Sequence, residues 1–176
     1  MSYNKYSIQR HYLRDDGVFP NNEELPVLVF RSVLELPVFF PAKHIIRLFQ
    51  KNGWENAWKD GVYDFHHYHS KTHEVLGVYK GCTTLQIGGK NGLKIRLQKG
   101  DVIIIPAGVA HKNIEPGKKF KCVGAYPKGF HFDMKTGEPS ERPKADEHIA
   151  AVPVPETDPV FGKNGELRKY WAEKKL

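Results

Sequence analysis

Gly61-Val62-Tyr63-Asp64-Phe65-His66-His67-Tyr68-His69-Ser70-Lys71-Thr72-His73-Glu74 gathers four of the chain's nine histidines, His66, His67, His69 and His73, within eight positions. In an extended chain, side chains two apart point the same way. His67 and His69 then share a face with Tyr63 and Phe65, while Asp64, His66 and Tyr68 face away. Two imidazoles on one face make a bidentate clamp for a metal ion. A turn over 70–73 would let the run starting at Glu74 return antiparallel and bring its carboxylate beside both rings. With Glu74 inward, parity turns His73 outward or into the turn, and it turns His66 away from its neighbour. Leu76 and Val78 share Glu74's side and supply an apolar lining.

A second stretch, Gly100-Asp101-Val102-Ile103-Ile104-Ile105-Pro106-Ala107-Gly108-Val109-Ala110-His111, couples a buried strand to a Pro/Gly turn that delivers one more histidine. Around these two stretches, strand-sized runs recur between glycine turns at 62–69, 74–79, 83–87, 93–97, 102–105 and 120–126. That rhythm predicts an all-β sandwich or barrel. Gly88-Gly89-Lys90-Asn91-Gly92 is a strong turn, and Leu93, Ile95 and Leu97 alternate with Lys94 and Arg96 as a half-buried strand must. Residues 1–40 read as arms or edge strands, with β-prone runs at 27–30 and 33–36. Pro41 opens a helix over 42–51, with Ile45, Ile46, Leu48 and Phe49 near one face and a stop at Asn52-Gly53. Residues 127–176 carry Pro139, Pro143, Pro153, Pro155 and Pro159, which oppose long helices and predict a wrapping tail closed by a short helix over 166–174.

Composition sets the outer bounds. At 176 residues the chain is about one domain's length, so 1–176 is expected to form a single domain with its barrel core at about 61–126. Hydrophobic residues at 40% and charged residues at 27% exclude wholesale disorder. No apolar run approaches the roughly 18 residues of a membrane span, and the first sixteen residues hold no apolar signal segment. A soluble, cytoplasmic protein is expected. Cys82 and Cys122 fit no close-spaced metal motif and are expected to be reduced, structural thiols. The net charge of +7 lies in the second half: residues 1–88 carry 10 bases and 9 acids, residues 89–176 carry 17 and 11. It comes from scattered lysines, the densest being Lys118, Lys119 and Lys121 split by Phe120. No helix-turn-helix or RNP-like pattern accompanies them, so nucleic acid is not an expected partner.

The two histidine stretches resemble both signature motifs of the cupin superfamily. Gly61, His67, His69, Glu74 and Gly81 meet every position of G-x5-H-x-H-x3,4-E-x6-G. Gly100, Pro106, Gly108 and His111 meet G-x5-P-x-G-x2-H-x3-N except at its end, where Glu115 replaces Asn. That departure touches a wall or turn contact rather than a ligand. Further stretches, FPNNEELPVLVFRS, HEVLGVY, PAGVAHK, GAYPKG and DPVFGKNGEL, are similar to YjlB-like single-domain bacterial cupins and extend the resemblance over nearly the whole chain. It implies a mainly β double-stranded β-helix, the jelly-roll barrel, with a few short flanking helices. It also implies one divalent transition metal (iron, manganese, nickel, cobalt, copper or zinc) held by His67, His69, Glu74 and His111, with open positions for a small-molecule ligand.

Homodimers follow from the same resemblance, with the 27–30 run available to pair across subunits. Cupins include dioxygenases, isomerases, epimerases, decarboxylases and binders. The expected function is a metal-dependent enzyme, of dioxygenase or isomerase type, acting on a small polar metabolite. The alternatives are a non-catalytic metal-bound sensor or small-molecule binding module, and a metal-free structural cupin. Tyr63, on His67's face by parity, is the one candidate catalytic residue, as a hydrogen-bond donor or general acid; the reading it competes with, and which weighs more, is a core tyrosine. Tyr126 and His131 are candidate rim residues.

Overall fold

The computed structural model describes residues 6–116 and 119–171, and its layers follow from alternation along the strands. Six antiparallel strands lie in the order β1 (Ser7–Leu13), β2 (Asn22–Arg31), β7 (Val102–Ile105), β4 (Glu74–Lys80), β9 (Lys121–Pro127) and β3 (Trp54–Asp60). Three more, β6 (Leu93–Gln98), β5 (Cys82–Ile87) and β8 (His111–Asn113), form a second sheet. Val27, Val29, Leu76, Val78, Ile103 and Ile105 of the large sheet meet Leu85, Ile87, Ile95 and Leu97 of the small one in a buried core. The intervening residues Leu28, Phe30, Val75, Val102, Ile104 and Val123 face the other way. There they pack against Ile45 and Phe49 of α1 (Pro41–Lys51) and Leu167 and Trp171 of α3 (Glu166–Trp171). The result is a jelly roll with a helical cover on one face, and Glu74, at the start of a central strand, points into its interior.

Several expectations change. The stretch 62–69 is not a strand: His67 pairs with His111 and Tyr68 with Lys135 as isolated bridges. Successive residues find partners on opposite sides, so no ladder extends beyond one pair. The run at 27–30 is no free edge for a second subunit, because β1 and β7 flank it within the chain. Residues 33–36 form no strand, although Leu34 is buried and its N–H donates to Gly100 O. β1 is an edge strand within the arm expected over residues 1–40, while β3 and α2 (Lys144–Ala151) lie where no regular element was expected. Of the helix expected over 166–174, the last three positions lie outside the described residues, as does Lys118 of the lysine cluster. Lys121 is paired with Asp60 at 2.6 Å. Cys82 and Cys122 are both free thiols. No helix among the described residues is long and apolar enough to cross a membrane.

Candidate metal centre

Three structural elements converge at one end of the interior. The irregular segment after β3 supplies His67 and His69, the first residue of β8 supplies His111, and the first of β4 supplies Glu74. His67 is locked to β8 by reciprocal backbone bonds with His111 at 2.9 and 3.2 Å. Parity between His67 and His69 therefore survives without a strand. Tyr63 stacks on Phe65 at 5.0 Å and stands edge-on to His67 at 5.4 Å, and the His67 and His69 rings are 5.7 Å apart. One ligand nitrogen from each of His67, His69 and His111 lies within 4.8 Å of the others, and all three residues are buried. Glu74 joins this group at its edge: its Oε2 is 3.4 Å from His69 Nε2 and 3.3 Å from His111 Nε2. The carboxylate was expected beside His67 and His69 on a returning hairpin. It lies beside His69 and His111 because β4 pairs with β7 and β9, not with the histidine segment.

The other ring nitrogens are spoken for. Nδ1 of His67 meets Phe65 O at 3.1 Å, Nδ1 of His111 meets Val109 O at 3.1 Å, and Nδ1 of His69 meets Asp133 O at 2.5 Å. A carbonyl only accepts, so each Nδ1 carries its hydrogen and leaves Nε2 as the ligand atom of each ring; those of His69 and His111 lie against the Glu74 carboxylate, where a bound ion would take the place of any proton between them. Burial, and then the His111 ring, pushes His67 down to about 3. Burial also works against charge on His69, but the adjoining Glu74 carboxylate outweighs it and raises that imidazole. Glu74 is held below the usual carboxylate range, because His69 and His111 outweigh the burial that would raise it. Three imidazoles with one carboxylate are a donor set suited to a divalent transition metal.

Above this group opens a cavity of about 420 Å3, within the range of small-molecule sites. Leu76, Trp58, Tyr126, Phe132 and Met134 make it largely apolar, and Tyr63 lies at its mouth, 57% exposed. Burial, and then the charge of Glu74, keeps the Tyr126 phenol protonated well beyond its ordinary range. His131 is exposed and does not line the cavity. His66 rests against Phe19 at 5.4 Å, away from the group. His73 is buried and accepts the Ala107 N–H at Nδ1 (2.9 Å), while its Nε2 meets Pro153 O at 3.2 Å.

Trp58, Phe132, Met134 and Asp133 were not foreseen. Trp58 lies in a strand interrupted by Asn56 at φ 53, and Phe132 to Met134 lie in an irregular segment whose place is set by long-range bonds.

The model of the family described as "Cupin domain" matches residues 58–123. Uncharacterized protein YjlB of Bacillus subtilis (strain 168) is 38% identical over 165 residues, covering 94% of this chain and 97% of that protein. Among solved structures, acireductone dioxygenase from Bacillus anthracis, with a cadmium ion in its active center, is 18% identical with a TM-score of 0.35, covering 48% of this chain and 57% of that one. YcfD, a ribosomal oxygenase from Escherichia coli in complex with cobalt and succinic acid, is 15% identical with a TM-score of 0.38, covering 60% of this chain and 32% of that one.

Proposed function

The chain belongs to the YjlB-like group of the cupin superfamily, and on that premise we propose that His67, His69, Glu74 and His111 hold one divalent transition metal in a metal-dependent enzyme. The supporting observation is the common orientation of the three imidazoles: each spends Nδ1 on a backbone carbonyl and turns Nε2 toward one point beside a carboxylate. Such an ion, when bound, supplies either Lewis acidity toward a carbonyl or enediol or, if redox-active, a meeting place for dioxygen and an organic substrate.

The residues do the rest. Glu74 offsets one of the two charges, so the centre favours an anionic oxygen donor from the ligand. Trp58, Phe132 and Met134 exclude water from that donor and contact the apolar body of a small metabolite. Tyr63, at the mouth and edge-on to His67, is placed to hydrogen-bond the outer end of the ligand.

Metal analysis of protein purified without added metal tests the reading. About one ion per chain is expected, lost in His67→Ala and in His111→Ala. A sub-stoichiometric content unchanged by both substitutions overturns it. Oxygen-electrode and isomerisation assays on metabolite sets then separate an enzyme from a binding module.

A further inference from the structure

The wall beside Glu74 contains a hydrogen-bonded pair, Trp58 and Tyr126, that neither signature motif includes. In the β4–β9 ladder Val75 pairs with Ala125 and Leu76 with Gly124, so one further step of the same register sets Glu74 opposite Tyr126. Directly opposed residues of an antiparallel pair project to the same face, about 5 Å apart at Cβ. Here that face is the interior, and both side chains line the cavity. The Tyr126 hydroxyl accepts the Trp58 indole N–H at 3.0 Å, and its ring shares the cavity wall with the Glu74 carboxylate across the ladder. An indole nitrogen can only donate and a carboxylate only accept. The indole therefore takes a lone pair of the hydroxyl and leaves the hydroxyl hydrogen to be given to an acceptor such as the Glu74 carboxylate on the same wall.

Its geometry is built into the sheet. β3 pairs Trp58 with Gly124, after a register shift between Glu55 and Trp58. A Cβ on Gly124 would stand 2.2 Å from the indole ring, so the ring lies flat on the strand only because position 124 has no side chain. Phe132 stacks on the phenol at 5.2 Å and the His69 ring meets it edge-on at 5.8 Å. The hydroxyl is thus fixed from three sides.

We propose that Tyr126 is a positioning residue of the centre: oriented by Trp58 and seated beside Gly124, its hydroxyl sets the direction of the Glu74 carboxylate and, through it, the affinity and coordination of the ion. This rests on the reading of Glu74 and the three histidines as a metal cage. Partners of this kind typically change metal affinity by about 10–100-fold.

Cobalt(II) is the probe, since its visible absorption bands report coordination geometry. Full-length protein stripped of metal is titrated with cobalt(II) as wild type, Tyr126→Phe, Trp58→Phe, Glu74→Gln and the Tyr126→Phe/Glu74→Gln pair, with thermal melts to confirm folding. Tyr126→Phe is expected to weaken cobalt binding by about tenfold and to shift its bands. Trp58→Phe is expected to move both in the same direction by less, and Tyr126→Phe to add no further loss in the Glu74→Gln background. Wild-type affinity and bands in Tyr126→Phe overturn the proposal, as does an equal loss in the Glu74→Gln background, which would mark a packing effect. Should Tyr126→Phe fail to fold, Trp58→Phe alone and with Glu74→Gln takes its place with the same two outcomes. A wild-type chain that takes up no cobalt sinks the cage and this proposal together; normal uptake with an indifferent Tyr126→Phe sinks the proposal alone.

Discussion

Four histidines are buried among the described residues, and the way their rings are satisfied divides them. His73 has a backbone partner on each nitrogen and the Trp171 ring against its face at 4.7 Å. His67, His69 and His111 each bond a backbone carbonyl through Nδ1 and turn the other nitrogen toward one another, with Glu74 beside those of His69 and His111. A buried imidazole has two polar atoms to satisfy. Where the backbone satisfies both, the ring is a strut that ties the histidine segment to the Pro106 turn and to the chain near Pro153. Where it satisfies one in each of three rings, the remaining nitrogens form a donor set. The difference lies in local backbone partners, not in burial or in residue type.

Exchanging one member of each class breaks the comparison most directly. His111→Ala removes a donor and is expected to weaken zinc or cobalt binding by more than the roughly 100-fold that loss of an outer partner can cost. His73→Ala should leave that affinity within a fewfold of wild type. It should instead cost about 3 kcal/mol of stability in denaturant melts, because the Ala107 N–H and the Pro153 carbonyl lose their buried partner. Metal titration and urea unfolding of both variants check the crossover. If His73→Ala loses metal as His111→Ala does, the division fails.

The same comparison shows what was legible in the sequence. Spacing put His67, His69 and Glu74 together and the cupin resemblance added His111, and the structure brings the three histidines together with Glu74 beside two of them. The expected strand at 62–69 was wrong while the parity drawn from it was right, because an extended chain alternates its side chains whether or not a ladder forms. Hydrophobic alternation revealed β5 and β6, and apolar runs revealed β4 and β7. It missed β3, in which charged residues and the Asn56 irregularity blur the period, and β1, whose burial is slight. Asp133 and Trp58 had no local signal. Each acts through partners 63 to 68 positions away, a distance at which no short-range pattern operates.

A smaller effect sharpens the contrast through pH. Burial lowers His73 to about 4 against an unfolded value of 6.5, and Nδ1 must stay unprotonated to accept the Ala107 N–H. Below pH 6.5 the unfolded chain takes up a proton that the folded chain refuses. Stability is therefore full above about pH 6.5 and falls as pH drops toward 4. At pH 5 the loss from this ring is about 2 kcal/mol. Unfolding of metal-free wild type and His73→Gln between pH 7.5 and 5 should show a steeper acid loss in the wild type by that amount; parallel curves would place the proton elsewhere.

The smallest expected change concerns what holds the ligand side in place. His69 Nδ1 donates to Asp133 O, and the Asp133 carboxylate accepts from Ser70 N at 2.7 Å, Ser70 Oγ at 2.6 Å and Lys71 N at 3.2 Å. One residue thus grips three consecutive positions, His69, Ser70 and Lys71, orienting the ring through its carbonyl and fixing that carbonyl through its side chain. Asp133→Ala keeps the carbonyl but frees it to move, so cobalt affinity should drop by about fivefold, below the roughly tenfold floor for losing an outer partner outright. Asp133→Asn retains an acceptor for the Ser70 and Lys71 N–H groups and should fall between that variant and wild type. The order wild type, Asn, Ala in cobalt affinity, with His73→Ala unchanged beside them, is what this division of the histidines requires; Asp133→Ala binding as wild type would mean that His69 keeps its orientation without the clamp.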